Sequence, residues 1–154
     1  MNEKVKGVAI LVGAIVLSAA AYFGARYWQS TQAQFTRIKP QHLCDLRAGP
    51  CREPVPGGAV VFAISPESIP LMQTLHLIVN VQDLQTESVV VDIRGLNMDM
   101  GINRTVLKKS QDDMWEGETL LPVCSQKRME WEAAILLEAN QRLEVPFPFD
   151  TVRP

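Results

Sequence analysis

The sequence predicts an all-β fold, an immunoglobulin-like antiparallel sandwich of about seven strands, preceded by one N-terminal transmembrane helix. Three observations lead there. From Ala59 onward, apolar residues recur with a period of two rather than 3.6. About seven such runs fall within roughly 100 residues, with turn residues between them. Ahead of them, Gly7 to Ala25 is a run of nineteen residues without a charge, fifteen of them apolar. The chain of 154 residues suits one domain plus an appendage. The expected division is an anchor over 1–26, a juxtamembrane linker and Cys/Pro/Gly loop over 27–58, and the β-domain over 59–154.

The anchor comes first. As a helix, the apolar run is about 28 Å long, close to the hydrocarbon thickness of a bilayer. Lys4 and Lys6 precede it and Arg26 follows, with Tyr22, Tyr27 and Trp28 at the second end, where amphipathic rings favour the interface. Two alternatives compete. Ala19-Ala20-Ala21 offers a signal-peptide cleavage site, but the run is long for a signal core and continues through Phe23. A buried core helix is opposed by apolar character on every side. A short tail before a first span and a long domain after it predict a cytoplasmic N-terminus and an exported domain. In a Gram-negative bacterium, that places a single-pass protein in the inner membrane with its domain in the periplasm.

The linker is rich in breakers: Cys44, Gly49, Pro50, Cys51, Pro54, Pro56 and two glycines. Cys44 and Cys51 do not have zinc-ribbon spacing, and no second pair exists. In an oxidising compartment the favoured reading is a local Cys44–Cys51 disulfide, leaving Cys124 free. A long-range link to Cys124 stays open, because spacing does not fix connectivity.

In the domain, Val60–Ile64 opens the series. Leu75, Leu77, Val79 and Val81 alternate with His76, Ile78, Asn80 and Gln82, and Val89, Val91 and Ile93 do likewise. Runs over 105–109, 114–121, 130–138 and 142–147 complete it. Asp112-Asp113 and Asn140-Gln141 read as hairpin turns.

Charge is unevenly divided. Residues 1–40 carry five Lys/Arg and one acid, whereas 41–154 carry ten Lys/Arg and sixteen acids. An acidic folded part excludes a basic nucleic-acid-binding domain. Enzyme constellations are also missing: there is no phosphate loop, no His-Glu-x-x-His and no Gly-x-Ser-x-Gly. His42 falls in the linker, and alternation puts His76 on an exposed face. The chain is therefore expected not to be an enzyme. A thiol-redox role for Cys124 is opposed by the absence of Cys-x-x-Cys. Asn103-Arg104-Thr105 matches a glycosylation sequon, relevant only in a eukaryotic secretory route.

What remains is sulfur. Met98 and Met100 are two apart, so extended backbone puts both thioethers on one side. Cys124 and Met129 flank Ser125-Gln126-Lys127-Arg128; if these four form a hairpin loop, the two sulfurs sit opposite each other. Soft thiolate and thioether ligands favour Cu(I). The candidate copper ligands are Met98, Met100 and Cys124, with Met129 or His76. The competing explanation is packing, since Met fills gaps and Cys behaves as a small hydrophobe.

From Gly95 to Leu137 the chain resembles the FixH/YtkA-like group of exported sandwich domains. The carrying residues are Met98-Asp99-Met100-Gly101, Leu107, Trp115 with Gly117, Leu121-Pro122-Val123-Cys124, and Met129 with Trp131. The resemblance covers about a third of the chain, and the plan of a short span followed by an exported β-domain is similar. It implies copper handling and maturation of haem–copper respiratory oxidases, with an oxidase subunit or copper carrier as partner. The histidines of many exported copper carriers are missing here, which argues against a Cu(II) site. The expected function is thus a membrane-anchored periplasmic accessory protein with a soft Met/Cys site. The alternative is a metal-free interaction module that binds a membrane-complex subunit, with Met98 and Met100 as an apolar contact.

Overall fold

The computed structural model describes residues 12–25, 35–41 and 44–153. The chain divides into two compact units, Met1–Gln34 and Phe35–Pro154. In the first, residues 12–25 are helical and every one of them is exposed. Ser18 Oγ donates back to the Ala14 carbonyl at 2.8 Å, satisfying the hydroxyl within the helix. Among the described residues no helix is long and apolar enough to cross a membrane. The rest of the expected span, its flanking Lys4, Lys6, Arg26, Tyr27 and Trp28, and His42 lie outside the described residues.

The second unit is all β, built as two five-stranded sheets. The strands are β1 (Thr36–Arg37), β2 (Cys51–Val55), β3 (Gly58–Ser65), β4 (Leu75–Gln82), β5 (Ser88–Gly95), β6 (Arg104–Val106), β7 (Lys108–Gln111), β8 (Met114–Thr119), β9 (Arg128–Glu138) and β10 (Arg142–Val152). The first sheet runs β1-β10-β9-β5-β6 and the second β2-β3-β4-β8-β7. All pairings are antiparallel except β1 with β10.

The period-two residues form the core. Leu75, Leu77, Val79 and Val81 point inward from β4, and Val89, Val91 and Ile93 from β5. Phe62 and Phe147 meet across the layers with ring centroids 5.4 Å apart. Each such side chain stabilises the fold by about 1.5–3 kcal/mol through removal from water. Asp112-Asp113 joins β7 to β8, and Asn140-Gln141 lies in the turn from β9 to β10, as the sequence predicts.

Several local features differ from the expectation, each for a physical reason. The stretch 35–58 contributes two strands, β1 and β2, which short length and prolines hide from a periodicity reading. The run over 105–109 is two strands, because buried Leu107 is the point where the chain crosses from one sheet to the other. Residues 120–127 do not form a hairpin: they carry the chain from β8 in the second sheet to β9 in the first, and Pro122 cannot donate to a ladder. The acidic face of β9 is only partly solvated. Glu132 is buried, held by Arg37 Nη1 at 3.0 Å. Arg94 Nε lies 3.2 Å from the same oxygen, Oε1, as an ion contact without hydrogen-bond alignment. Both arginines also contact Glu144.

The cysteine ambiguity is resolved. Cys44 and Cys51 form a disulfide with Cα atoms 5.7 Å apart, and Cys124 is free. Closing so short a loop stabilises the fold by about 2.5 kcal/mol in the chain-entropy account.

The outer edges are blunted. Ile38 N–H donates to the Glu144 carbonyl at 2.8 Å, so Glu144 presents its backbone to the β1 side. Pro146 and Pro148 share that parity and remove two donors from the same edge. The edge strand β2 contains Pro54, β6 has three residues, and β7 reads Lys-Lys-Ser-Gln. Such edges resist strand addition by another chain.

Candidate functional site

Register defines two ends of the sandwich. Gly95 pairs with Trp131, Val152 with Arg128, Leu75 with Thr119 and Ser65 with His76. The loops 66–74, 96–103 and 120–127 and the end of β10 therefore share one end, called the far end here. Backbone bonds tie them together: Met72 N–H to the Leu121 carbonyl and Arg153 N–H to the Lys127 carbonyl, both 2.9 Å. The opposite end carries the turns at 56–57, 83–87, 112–113 and 139–141.

The exposed large hydrophobics of this unit are Met72, Leu96, Met98, Ile102, Val106, Leu120, Val123 and Val152. Seven lie at the far end, and Val106, on the edge strand β6 opposite Val90, lies nearer the other end. None lies in the turns of the opposite end among the described residues. Ile102 is 88% exposed, a level that leaves its side chain almost wholly in water.

The loop carrying Leu96, Met98 and Ile102 is fixed at both ends by asparagines. Asn97 donates through Nδ2 to the Arg128 carbonyl and accepts from Glu130 N–H, both at 3.1 Å. Asn103 donates to the Leu120 carbonyl at 3.0 Å and accepts from Thr119 Oγ1 at 2.9 Å. Between them Asp99 Oδ1 accepts from Gly101 N–H at 2.9 Å. Asx turns suit these residue types, and Gly101 takes the positive φ of 74° that the turn needs. The sequon asparagine is thus engaged in holding the loop.

The sulfur residues gather only in part. A Cβ built on Gly95 would lie 2.5 Å from Met129 Cε and 3.2 Å from Met100 Cγ, so both thioether side chains pack over that glycine. Met129 is buried, Met100 is half-buried and Met98 is exposed. Cys124 and Met129 line one crevice with Trp131, which has no room for a water molecule. Cys124 Sγ lies 3.7 Å from the Gln126 carbonyl. Trp131 also floors an open cleft of about 560 Å³ beside Met100, Ile102 and Leu120. Its ring is fixed by Nε1 donating to Thr151 Oγ1 at 2.9 Å. Met100, Met129 and Cys124 therefore surround one tryptophan. His76 is elsewhere, on the outer face of β4 opposite Glu118, with Nδ1 3.2 Å from its carboxylate. Among the described residues no three His, Cys, Asp or Glu side chains converge to hold a metal ion. The donors that gather are thioethers and one thiol, a soft set.

Comparison with protein families, with characterised proteins and with solved structures finds no match. The functional reading therefore rests on the residues themselves.

Sequence reasoning missed the two asparagine clamps and the loop 66–74. Pro66 and Pro70 mark that loop as a break between strands. Nothing in its composition shows that Ile69 is buried while Met72 stands in water.

Proposed function

We propose that the chain is a single-pass, membrane-anchored accessory protein with a cytoplasmic N-terminus and a periplasmic β-domain, whose far end docks a subunit of a membrane complex. The carrying observation is that seven of the eight exposed large hydrophobics of the β unit lie at that end, Val106 on β6 being the exception. Apolar side chains gathered in water mark an interaction surface. The blunted edges disfavour recognition by strand addition, and the clamped 96–103 loop presents its side chains without an ordering penalty on binding. An anchor is supported by the nineteen-residue uncharged run and by a helix over 12–25 exposed at every residue. The Cys44–Cys51 bridge suits an oxidising compartment. The resemblance to FixH/YtkA-like domains points to a haem–copper respiratory oxidase as the client. The test is complementation of a deletion strain, reading assembled oxidase by its haem spectrum. Ile102→Glu with Leu120→Glu is expected to abolish rescue, whereas Gln85→Lys at the opposite end rescues fully. Full rescue by the far-end variant contradicts the reading.

A second reading, Cu(I) handling, is favoured by the packing of Met100 and Met129 over Gly95 and by Cys124 sharing the Met129 crevice. Met100, Met129 and Cys124 would be the ligands, with Met98 at the rim; His76 faces outward from β4 beside Glu118. Sulfur donors would hold the reduced ion for transfer to a client docked at the same end. Titration of the full chain with Cu(I) against a competing chelator tests it. Met98→Ala/Met100→Ala and Cys124→Ala should each weaken retention, and no competition by the native chain removes the reading.

A further inference from the structure

We propose that a hollow at the far end, beside Met72 and Val152, takes a segment of a partner protein that presents a carboxylate next to an apolar side chain. The inference rests on the docking reading above and names the chemistry of the docked partner. The hollow has a volume of about 360 Å³. Its walls include Pro70, Leu71, Met72, Val123 and Val152, and its charged lining groups are Arg47 and Arg153. Met72, Val123 and Val152 are exposed, so the walls are apolar surface waiting for a cover.

The wall is shaped by unusual backbone. Ile69 has φ of 47° and Met72 φ of 58°. A β-branched residue in the left-handed region is disfavoured sterically, and such outliers cluster at binding sites. Here the distortion turns Ile69 into the core and Met72 outward. Ile69 N–H is held by the Pro66 carbonyl at 3.0 Å, and Met72 N–H by Leu121. The concavity is therefore built by the loop.

Charge selects the occupant. Asp150 serves two arginines: Arg47 Nη1 at 3.6 Å and Arg128 Nε at 3.3 Å. The Arg153 guanidinium donates to the Cys124 carbonyl at 3.4 Å and meets no carboxylate among the described residues. Lys127, joined to Arg153 through the backbone, likewise meets none. Glu67 shares the loop but does not line the hollow. Of the two cations lining the hollow, Arg47 is paired with Asp150 and Arg153 with no carboxylate among the described residues, while Lys127 and Arg128 sit beside the lining through Arg153 and Val152; guanidinium groups favour carboxylate partners. An anionic lipid surface shares the charge preference but is flat and takes protruding residues. A concave site with cations in its lining suits a side chain and carboxylate delivered by a peptide.

The test uses the full chain in nonionic detergent and fluorescence anisotropy of two labelled peptides, one of Glu-Leu-Leu repeats and one of Gln-Leu-Leu repeats. The acidic probe should bind about tenfold tighter or more, and Arg153→Glu and Lys127→Glu should each remove that preference. Both positions are exposed, so both variants should fold, checked by unchanged melting. Met72→Glu should weaken both probes. Equal binding of the two peptides, or unchanged affinity in both charge reversals, overturns the proposal. So does tighter capture of dihexanoylphosphatidylglycerol than of the acidic peptide, which would make the hollow a lipid site. Failed complementation by far-end variants with no acidic preference overturns this inference and leaves the docking reading standing. An acidic preference with full complementation overturns the docking reading instead.

Discussion

Gly95 offers a demanding test of how the far end is built. It is the last residue of β5, opposite Trp131, and its φ is not in the left-handed region. Any effect of Gly95→Ala is therefore steric. The added Cβ would sit 2.1 Å from the Met98 carbonyl oxygen and 2.5 Å from Met129 Cε. Met129 is buried and has little space to swing. The Met98 carbonyl is backbone within a loop clamped by Asn97 and Asn103. Relief must therefore move the loop. Overpacking of this kind destabilises by about 1–3 kcal/mol, and a backbone obstacle puts this variant at the upper end. For a domain of this size that lowers Tm by roughly 6–15 °C. Gly117→Ala is the control, since its Cβ would meet Leu107 Cδ2 at 2.6 Å and Thr105 Cγ2 at 3.0 Å, both ends of side chains. It should be the milder variant. The assay is thermal unfolding of the full chain by circular dichroism. A Gly95→Ala melt within 1 °C of the native chain, or a Gly117→Ala loss larger than the Gly95→Ala loss, refutes the reasoning.

Other outcomes follow from the same packing. Reducing Cys44–Cys51, or replacing both cysteines by serine, should destabilise the domain by about 2–3 kcal/mol in denaturant titrations. Trp131→Phe removes the donor to the buried Thr151 hydroxyl and shrinks a core ring, and should lose about 2 kcal/mol or more by the same measure. Arg37→Gln should release β1, seen as faster hydrogen exchange at Ile38, with a loss of about 1 kcal/mol because Arg37 is half exposed and Arg94 still faces Glu132. The Glu132 hydrogen bond raises the Arg37 pKa above the ordinary arginine range. A raised folded value means the contribution is complete below the ordinary arginine range and lost only above it, so the difference between native and Arg37→Gln stability should stay constant from about pH 6 to 9.

The sandwich was legible because Leu75–Gln82 and Ser88–Gly95 alternate strictly, and a one-residue slip would expose their whole apolar set. The Cys44–Cys51 disulfide was the favoured pairing, but spacing alone left a link to Cys124 open. The first two strands were not, because β1 spans two residues and is held by a parallel pairing and by Arg37, neither of which leaves a local pattern. Glu132 looked like one more solvated acid, since its partners Arg37 and Arg94 are distant in sequence. At the far end, parity placed Met129 inward correctly. Parity also placed His76 on an exposed face, but it could not foresee that Cys124 approaches Met129 from a crossover loop. Loops obey no periodicity, so the clamps at Asn97 and Asn103 emerge only from three-dimensional contacts.

Site-specific photo-crosslinking in living cells tests the central claim most directly. A benzophenone side chain at Ile102 should give an adduct with a membrane-complex subunit, and the same group at Asp112 should give none. Equal adducts from both ends, or adducts from Asp112 alone, would contradict a working surface at the far end.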